Sequence, residues 1–211
     1  ARRAPGIFAA PRSQSLGPRT SSTTAASSDQ RTRCVGFAPP AEPLSEAALA
    51  EFAHLHLHTE YSLLDGMGRS KEYASRALEL GIKHVAVTDH GVMYGAMEWY
   101  RQASEAGLHP IIGVEAYLAE GSARVKERKS YHVLLLAENE TGYRNLLKLS
   151  TLAQLEGYYY RPRIDLEMLA EHGSGIVATS ACLGGPVANN FLHNRPEVVR
   201  AYFGDGDECT M

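Results

Sequence analysis

The clearest pattern along the chain starts at Phe52. From there to His58 the residues alternate with a period of two: Phe52, His54, His56 and His58 share one face, Ala53, Leu55 and Leu57 the other. That alternation predicts a strand over 52–58. Asp65-Gly66 marks a turn. The stretch 70–80 carries Tyr73, Ala77 and Leu80 at helical spacing, with Ser70 as N-cap and Gly81 as stop. A short apolar run at 85–88 predicts a buried strand, and 93–106 predicts a helix ended by Gly107. Strands follow at 110–118 and 131–137, a helix at 141–155, a short helix at 166–172, a strand at 175–180 and a helical segment at 186–192.

Strands alternate with helices over short connections, and the strands are nearly all apolar. This predicts a parallel α/β architecture, either an open sheet or a barrel. In both arrangements active sites gather at the carboxyl ends of the strands. The 211 residues leave room for one domain of roughly 100–200 residues plus a tail.

The tail is expected at 1–50. Residues 1–43 are rich in Ala, Ser, Thr, Pro, Gly and Arg, which predicts disorder, because such a stretch buries too little apolar surface to offset its chain entropy. A short helical turn is expected at 44–50, with Ser45 as N-cap. The Arg- and Ser-rich, acid-poor composition of the tail fits either a transit peptide or a plain extension.

Charge divides the same way. Residues 1–41 hold six Arg and one acid, a net +5, while 42–211 hold 15 basic and 23 acidic residues, a net −8. A body this acidic is a poor non-specific binder of DNA unless metal ions or further chain supply positive charge. The stretch 173–194 has no Asp, Glu, Lys or Arg but contains Pro186, Asn189, Asn190 and several Gly, so no transmembrane helix is expected. Cys34, Cys182 and Cys209 have no CxxC spacing and leave one over. A disulfide scaffold is therefore not expected, and a reducing, cytoplasmic setting is.

Candidate chemistry sits at the ends of the predicted strands. These carry His56-Leu57-His58, Thr88-Asp89-His90, Glu115, His132 and Cys182. On an extended strand, a His-x-His pair points both rings to one side with Cα atoms about 7 Å apart, a geometry that suits one divalent ion such as zinc. A carboxylate such as Glu115 can bridge two ions, and paired ions suit phosphoryl hydrolysis. Five donor motifs at five successive strand ends point to metal rather than to scattered polar residues.

These segments carry a family resemblance. FAHLHLHTEYSLLDG (52–66), AVTDHGVMYGAMEWY (86–100), PIIGVEAYL (110–118), YHVLLLAENETGYRNLLKLS (131–150), YYYRPRID (158–165) and SACLGG (180–185) resemble the polymerase and histidinol phosphatase (PHP) domain. The branch they resemble is the N-terminal PHP domain of bacterial replicative DNA polymerase III alpha subunits. The resemblance covers 52–192. It implies a distorted TIM-like (β/α)7 PHP barrel over 51–211, truncated before its last strands. It also implies up to three divalent ions, zinc foremost and Mn2+ or Mg2+ otherwise.

By motif, the implied ligands are His56, His58, Asp65, His90, Glu115, His132 and Cys182, with His56, His58, His90 and Glu115 also implied in catalysis. The implied grouping places His56, His58 and Glu115 on one ion. Glu115 bridges to a second ion with His132 and Cys182, and Asp65 and His90 serve a third. The family completes its site with an Asp-x-His motif after a later strand. This chain contains no Asp-x-His and departs from the family pattern after Asn194, so it is expected to be a fragment. A barrel cut before closure exposes a strand edge, and poor stability in isolation is expected.

The resemblance implies two roles for the domain, a metal-dependent 3′–5′ exonuclease or a structural module. The implied partners, through the full-length protein, are DNA and other replicase subunits such as the proofreading subunit and sliding clamp. DNA synthesis itself would need palm aspartates outside this chain. The alternative is a free-standing PHP phosphatase acting on a small ester such as histidinol phosphate. A metal-free interaction module is a third reading.

Several residues stand between roles. His54 shares the face of the motif histidines and is expected to be a packed interior residue. His84, His109, His172 and His193 are expected at the surface. Asp89 either positions His90 or caps the following helix. Thr59 and Ser62 are expected to hydrogen-bond the loop after the first strand. Cys182 is either a soft metal ligand or a small buried thiol. Arg161 and Arg163, beside Tyr158, Tyr159 and Tyr160, read as a structural arm rather than a grip on single-stranded nucleic acid. Arg124, Lys126, Arg128 and Lys129 read as a solvated basic loop.

Overall fold

The computed structural model describes residues 52–197 other than Leu64. The expectations for the tail at 1–50, for Cys34 and Cys209, and for the segment beyond 197 lie outside the described residues. Twelve elements follow in chain order: β1 (Ala53–His54), α1 (Ser70–Glu79), β2 (His84–Val87), α2 (Ala96–Glu105), β3 (His109–Ala119), β4 (Ser130–Ala137), α3 (Glu140–Leu155), β5 (Tyr158–Tyr159), β6 (Arg161–Ile164), α4 (Leu166–His172), β7 (Ile176–Thr179) and α5 (Pro186–Leu192). The strands form one curled mixed sheet, a half-barrel, with path β1-β2-β3-β4-β7, with β6 beside β3 and β5 beside β6.

The expectation of an all-parallel sheet is corrected. β1, β2 and β3 are parallel, but β4 runs antiparallel to β3, and β7 antiparallel to β4. The reason is the connection. Residues 120–129 contain no helix, and a parallel return needs a crossover of a dozen or more residues, usually helical.

The first strand is also shorter than the alternation predicts, since only Ala53–His54 pair as strand. Arg69, not Ser70, is the N-cap of α1, and α2 begins at Ala96 after Gly95 rather than at 93. The remaining helices and β7 fall within a residue of expectation. Asn139 and Asp165 cap α3 and α4, accepting from Gly142 N at 3.1 Å and Met168 N at 2.9 Å.

The pleat of β3 and β4 separates two compartments. Val114, Ala116 and Leu118 of β3, with Tyr131, Val133 and Leu135 of β4, face outward into a core completed by Leu146 and Leu149 of α3 and Met168 and Leu169 of α4. Burying each large aliphatic there contributes roughly 1.5–3 kcal/mol. The alternate residues face the inside of the half-barrel. Leu134 and Leu136 pack there with Ala86, and Glu115, Tyr117 and His132 occupy the same inner face by period two. A second core joins α1 and α2 to β2 through Ala74, Ala77, Val85, Val87, Trp99 and Leu108.

The basic loop is not simply solvated. Arg124 pairs with Glu156 at 2.7 Å, Lys129 pairs with Glu120, and the Arg128 guanidinium lies over the Tyr160 ring. No helix of the described residues is long and apolar enough to cross a membrane.

Candidate metal centre

Four segments converge on Glu115. The first is the chain after β1, which stays extended although it is not paired as strand. Thr88 pins it from both sides: its N–H donates to Leu57 O at 2.8 Å, and its hydroxyl accepts from Leu57 N at 2.9 Å. Leu57 turns to the core beneath α1 and α2, so its neighbours His56 and His58 both project the opposite way.

The turn that follows brings Asp65 back to the same place. Asp65 N and Gly66 N donate to Ser62 O at 3.0 and 2.8 Å, and a Cβ at Gly66 would collide with the Thr59 carbonyl. Only glycine closes this turn. The second segment is the end of β2, where His90 bridges to Glu115. Gly91 N donates to Glu115 O at 2.9 Å and Glu115 N to Asp89 O at 3.1 Å. The third is β4, which presents His132. The fourth is the turn after β7, which presents Cys182 beside Ala181 at φ 53°, a left-handed conformation that costs energy for a residue with a Cβ and is often kept where a site needs it.

The Glu115 carboxylate, 1% exposed, is contacted at both oxygens. Its Oε2 lies 2.7 Å from His56 Nε2 and 2.8 Å from His58 Nε2. Its Oε1 lies 2.8 Å from His132 Nδ1 and 3.9 Å from the Cys182 thiol, whose sulfur is 3.6 Å from His132 Nδ1. His90 spans the outer part, with Nε2 at 2.7 Å from Asp65 Oδ2 and Nδ1 at 3.6 Å from Glu115 Oε2. Burial alone would raise the Glu115 carboxyl, but the rings of His132, His58 and His56 outweigh it and hold it far below the usual carboxylate range. Burial pulls His58 down, yet the Glu115 carboxylate overrides it and the net shift is upward. For His90 burial prevails, and its affinity for a proton falls despite Glu115.

All seven residues expected as ligands are thus brought together. Three groups have donor atoms close enough to hold an ion: His56 with His58 and Glu115; His58 with Asp65 and His90; and His90 with Glu115 and His132. The first matches the expected trio. The other two depart from the motif grouping: His58 joins Asp65 and His90, and His90 stands beside Glu115 and His132 where Cys182 was expected, Cys182 being in none of the three groups among the described residues. The donor set fits divalent metal on two further counts. His56 Nε2 and His58 Nε2 face each other at 3.0 Å, and the buried His90 Nδ1 has no hydrogen-bond partner. Imidazole lone pairs and a buried carboxylate so arranged suit an ion of the zinc type.

Neither expectation for Asp89 describes what it does. The side chain, 2% exposed, accepts from Thr59 N at 2.6 Å, Thr59 Oγ1 at 2.8 Å and Ser62 Oγ at 2.8 Å. It therefore organises the loop after β1, as expected of Thr59 and Ser62 themselves. The consequence reaches His58. With its single hydroxyl proton donated to Asp89, Ser62 can only accept from His58 Nδ1, 3.2 Å away. With Nδ1–H taken up by Ser62, the ring is oriented so that its Nε2 donates to Glu115 in the charged form and is open to an ion in the neutral one. Asp89→Asn is expected to weaken metal binding about 10–100-fold, measured by competition with a chromophoric chelator. An unchanged affinity would show that the relay does not position His58.

Two wall residues escaped the sequence reading. Tyr117 packs beside His90 and His132, with ring centroids 5.8 and 5.4 Å apart. Its signal was the period of two from Glu115. Arg161 was placed in an arm, yet its guanidinium lies over Tyr117 at 4.7 Å. Arg163 is the structural residue of the pair, fully buried and donating only to backbone carbonyls. His54 is half-buried, against Phe52, and His84 stacks on His109 at the strand starts. Both lie outside the metal groups.

Comparison with known proteins identifies the family. The family model of the PHP domain matches residues 54–205. DNA polymerase III subunit alpha of Borreliella burgdorferi is 47% identical over 153 residues, covering 70% of this chain and 13% of that protein. The Helicobacter pylori subunit is 50% identical over 157 residues (74% and 13%), and that of Aquifex aeolicus is 43% identical over 145 residues (64% and 12%). This chain therefore spans about an eighth of the length of those relatives. A solved amidohydrolase from Chromobacterium violaceum is 24% identical with a TM-score of 0.36, over 47% of this chain and 33% of that one. The chain belongs to the PHP domain family and matches the N-terminal region of DNA polymerase III alpha subunits.

Proposed function

We propose that this chain is the PHP portion of a replicative DNA polymerase III alpha subunit, and that it hydrolyses the terminal phosphodiester of a DNA strand from the 3′ end. The observation that carries the reading is the Glu115 carboxylate, held by His56 and His58 at one oxygen and by His132 at the other. A carboxylate so placed would let two ions share it. Bound divalent ions would supply Lewis-acid polarisation of the phosphoryl group and activation of a water. His56, His58, Glu115 and His132, with the Cys182 thiol beside them, would hold the ions, and Asp65 and His90 would complete the outer part. Where His90 is not engaged by an ion, its protonated ring at the rim would pass a proton to the leaving oxygen. The identity of 43–50% to polymerase subunits favours a DNA end over a small ester such as histidinol phosphate. In the full-length protein the setting would be the cytoplasm, with DNA, a proofreading subunit and a sliding clamp as partners.

The test loads the full chain with Zn2+, Mn2+ or Mg2+ in turn and offers it a 5′-labelled oligonucleotide. Stepwise shortening from the 3′ end is expected, stopped by a chelator. The double variant His56→Ala, His58→Ala should lose both bound metal and hydrolysis. Retention of both in the double variant would overturn the assignment.

A further inference from the structure

We propose that Arg161 is the oxyanion-binding residue of this centre, its guanidinium receiving the phosphate of the ester that the histidine cluster faces. The proposal rests on the phosphoesterase reading above. Four features carry it. First, Arg161 is exposed, and no carboxylate of the described residues pairs with it, although the folded part of the chain carries an excess of acid. Second, its guanidinium lies 4.7 Å from the centre of the Tyr117 ring, which in turn lies 5.8 Å from the His90 ring and 5.4 Å from the His132 ring.

Third, the backbone that presents it is built for that place. β6 pairs with β3 at Tyr117↔Arg163, and Pro162 seats against Gly91, the residue after His90. A Cβ at Gly91 would come within 2.7 Å of Pro162 Cγ and 3.1 Å of Tyr117 Cε2, and Gly91 has φ 64°, so a side chain there would push the arm off the site. Fourth, β5 and β6 reverse through one residue, with Tyr159 opposite Arg161, and that residue, Tyr160, has φ 61°. A left-handed conformation is unfavourable for a bulky aromatic and persists when the surroundings require it. What it achieves here is to bring Arg161 back over Tyr117.

A guanidinium is suited to phosphate because its planar donors can meet two oxygens at once. The aromatic face fixes its plane and leaves its edge free for the ligand. The phosphate could come from a small monoester or from the terminal nucleotide of a strand, and both present the same oxygens.

The experiment compares the full chain with Arg161→Gln and Arg161→Lys in three measurements. These are calorimetric binding of inorganic phosphate to the zinc-loaded chain, hydrolysis of 4-nitrophenyl phosphate, and hydrolysis of an oligonucleotide. Metal content and melting temperature are followed as controls and should not change. Arg161→Gln is expected to weaken phosphate binding at least tenfold and raise KM by a similar factor, with Arg161→Lys restoring part of the loss. A KM change with both substrates assigns the subsite to phosphate itself, and a change with the oligonucleotide alone assigns it to the strand end. Unchanged phosphate binding together with unchanged KM overturns the proposal. Should the wild-type chain hydrolyse neither substrate, the phosphoesterase reading fails, and phosphate binding alone then decides for or against Arg161.

Discussion

Replacing Glu115 by Gln is expected to strip the centre of metal and to reduce hydrolysis by about a thousandfold or more, equivalent to about 4 kcal/mol of transition-state stabilisation. The amide has nearly the shape of the carboxylate, so packing around the inner face of β3 is retained. What changes is charge and acceptor capacity. Glu115 accepts at Oε2 toward His56 and His58 and at Oε1 toward His132, whereas Gln must present an NH2 group to one side or the other. No orientation serves both sides. The backbone of Glu115 is tied to Asp89 O and Gly91 N, so the variant should still fold. Elemental analysis of the purified protein, with 3′-end hydrolysis and a thermal melt, checks this. Full metal stoichiometry in the variant would remove Glu115 from the centre.

The largest effect on stability is expected from Arg163→Met. Arg163 is 2% exposed and has no carboxylate partner among the described residues. Its guanidinium donates to Ala123 O at 2.6 Å, Glu127 O at 2.7 Å, Val125 O at 3.0 Å and Gly157 O at 3.1 Å. One side chain thus closes the loop between β3 and β4 onto the end of α3. Methionine fills much of the volume but leaves Ala123 O and Glu127 O without a donor, while Val125 O and Gly157 O keep the backbone N–H groups of Glu127 and residue 163. A loss of about 3 kcal/mol corresponds to a fall in Tm of roughly 6–12 °C for a chain of this size. Lysine should not rescue it, because a single ammonium cannot meet carbonyls spread across two segments. Circular dichroism melts of the metal-free proteins read the effect, and a Tm within a degree or two of wild type would contradict this account.

The two residues also mark how far the sequence could be read. Glu115 was legible because it interrupts an apolar strand at a place where strand ends collect donors. His56, His58 and His90 were legible through spacing, and Asp65 and Cys182 through the family motifs. The parallel expectation failed at β4 because local periodicity carries no direction. Only the lack of a helix in 120–129 could have signalled the reversal. β5 and β6 were missed because a two-residue and a four-residue strand are too short to show a period. With them went the separation of Arg161 from Arg163. Residues two apart in a strand read alike by spacing, yet Arg161 at the strand start is exposed over Tyr117 while Arg163 is buried against backbone carbonyls. The role of Asp89 was hidden for a related reason. Its partners Thr59 and Ser62 lie in another loop, and no spacing rule links them.

The pleat of β3 has one more consequence. This strand supplies alternate residues to the outer core and to the inner site, so inserting or deleting a single amino acid between Gly113 and Leu118 would exchange the two inventories. Val114, Ala116 or Leu118 would enter the ligand cage, and Glu115 would be driven uncompensated among Leu146 and Leu149. Divergence in this segment is therefore confined to replacement at fixed length, and the loop at 120–129 is little freer, since Ala123 is buried in the outer core and Arg163 holds its carbonyls.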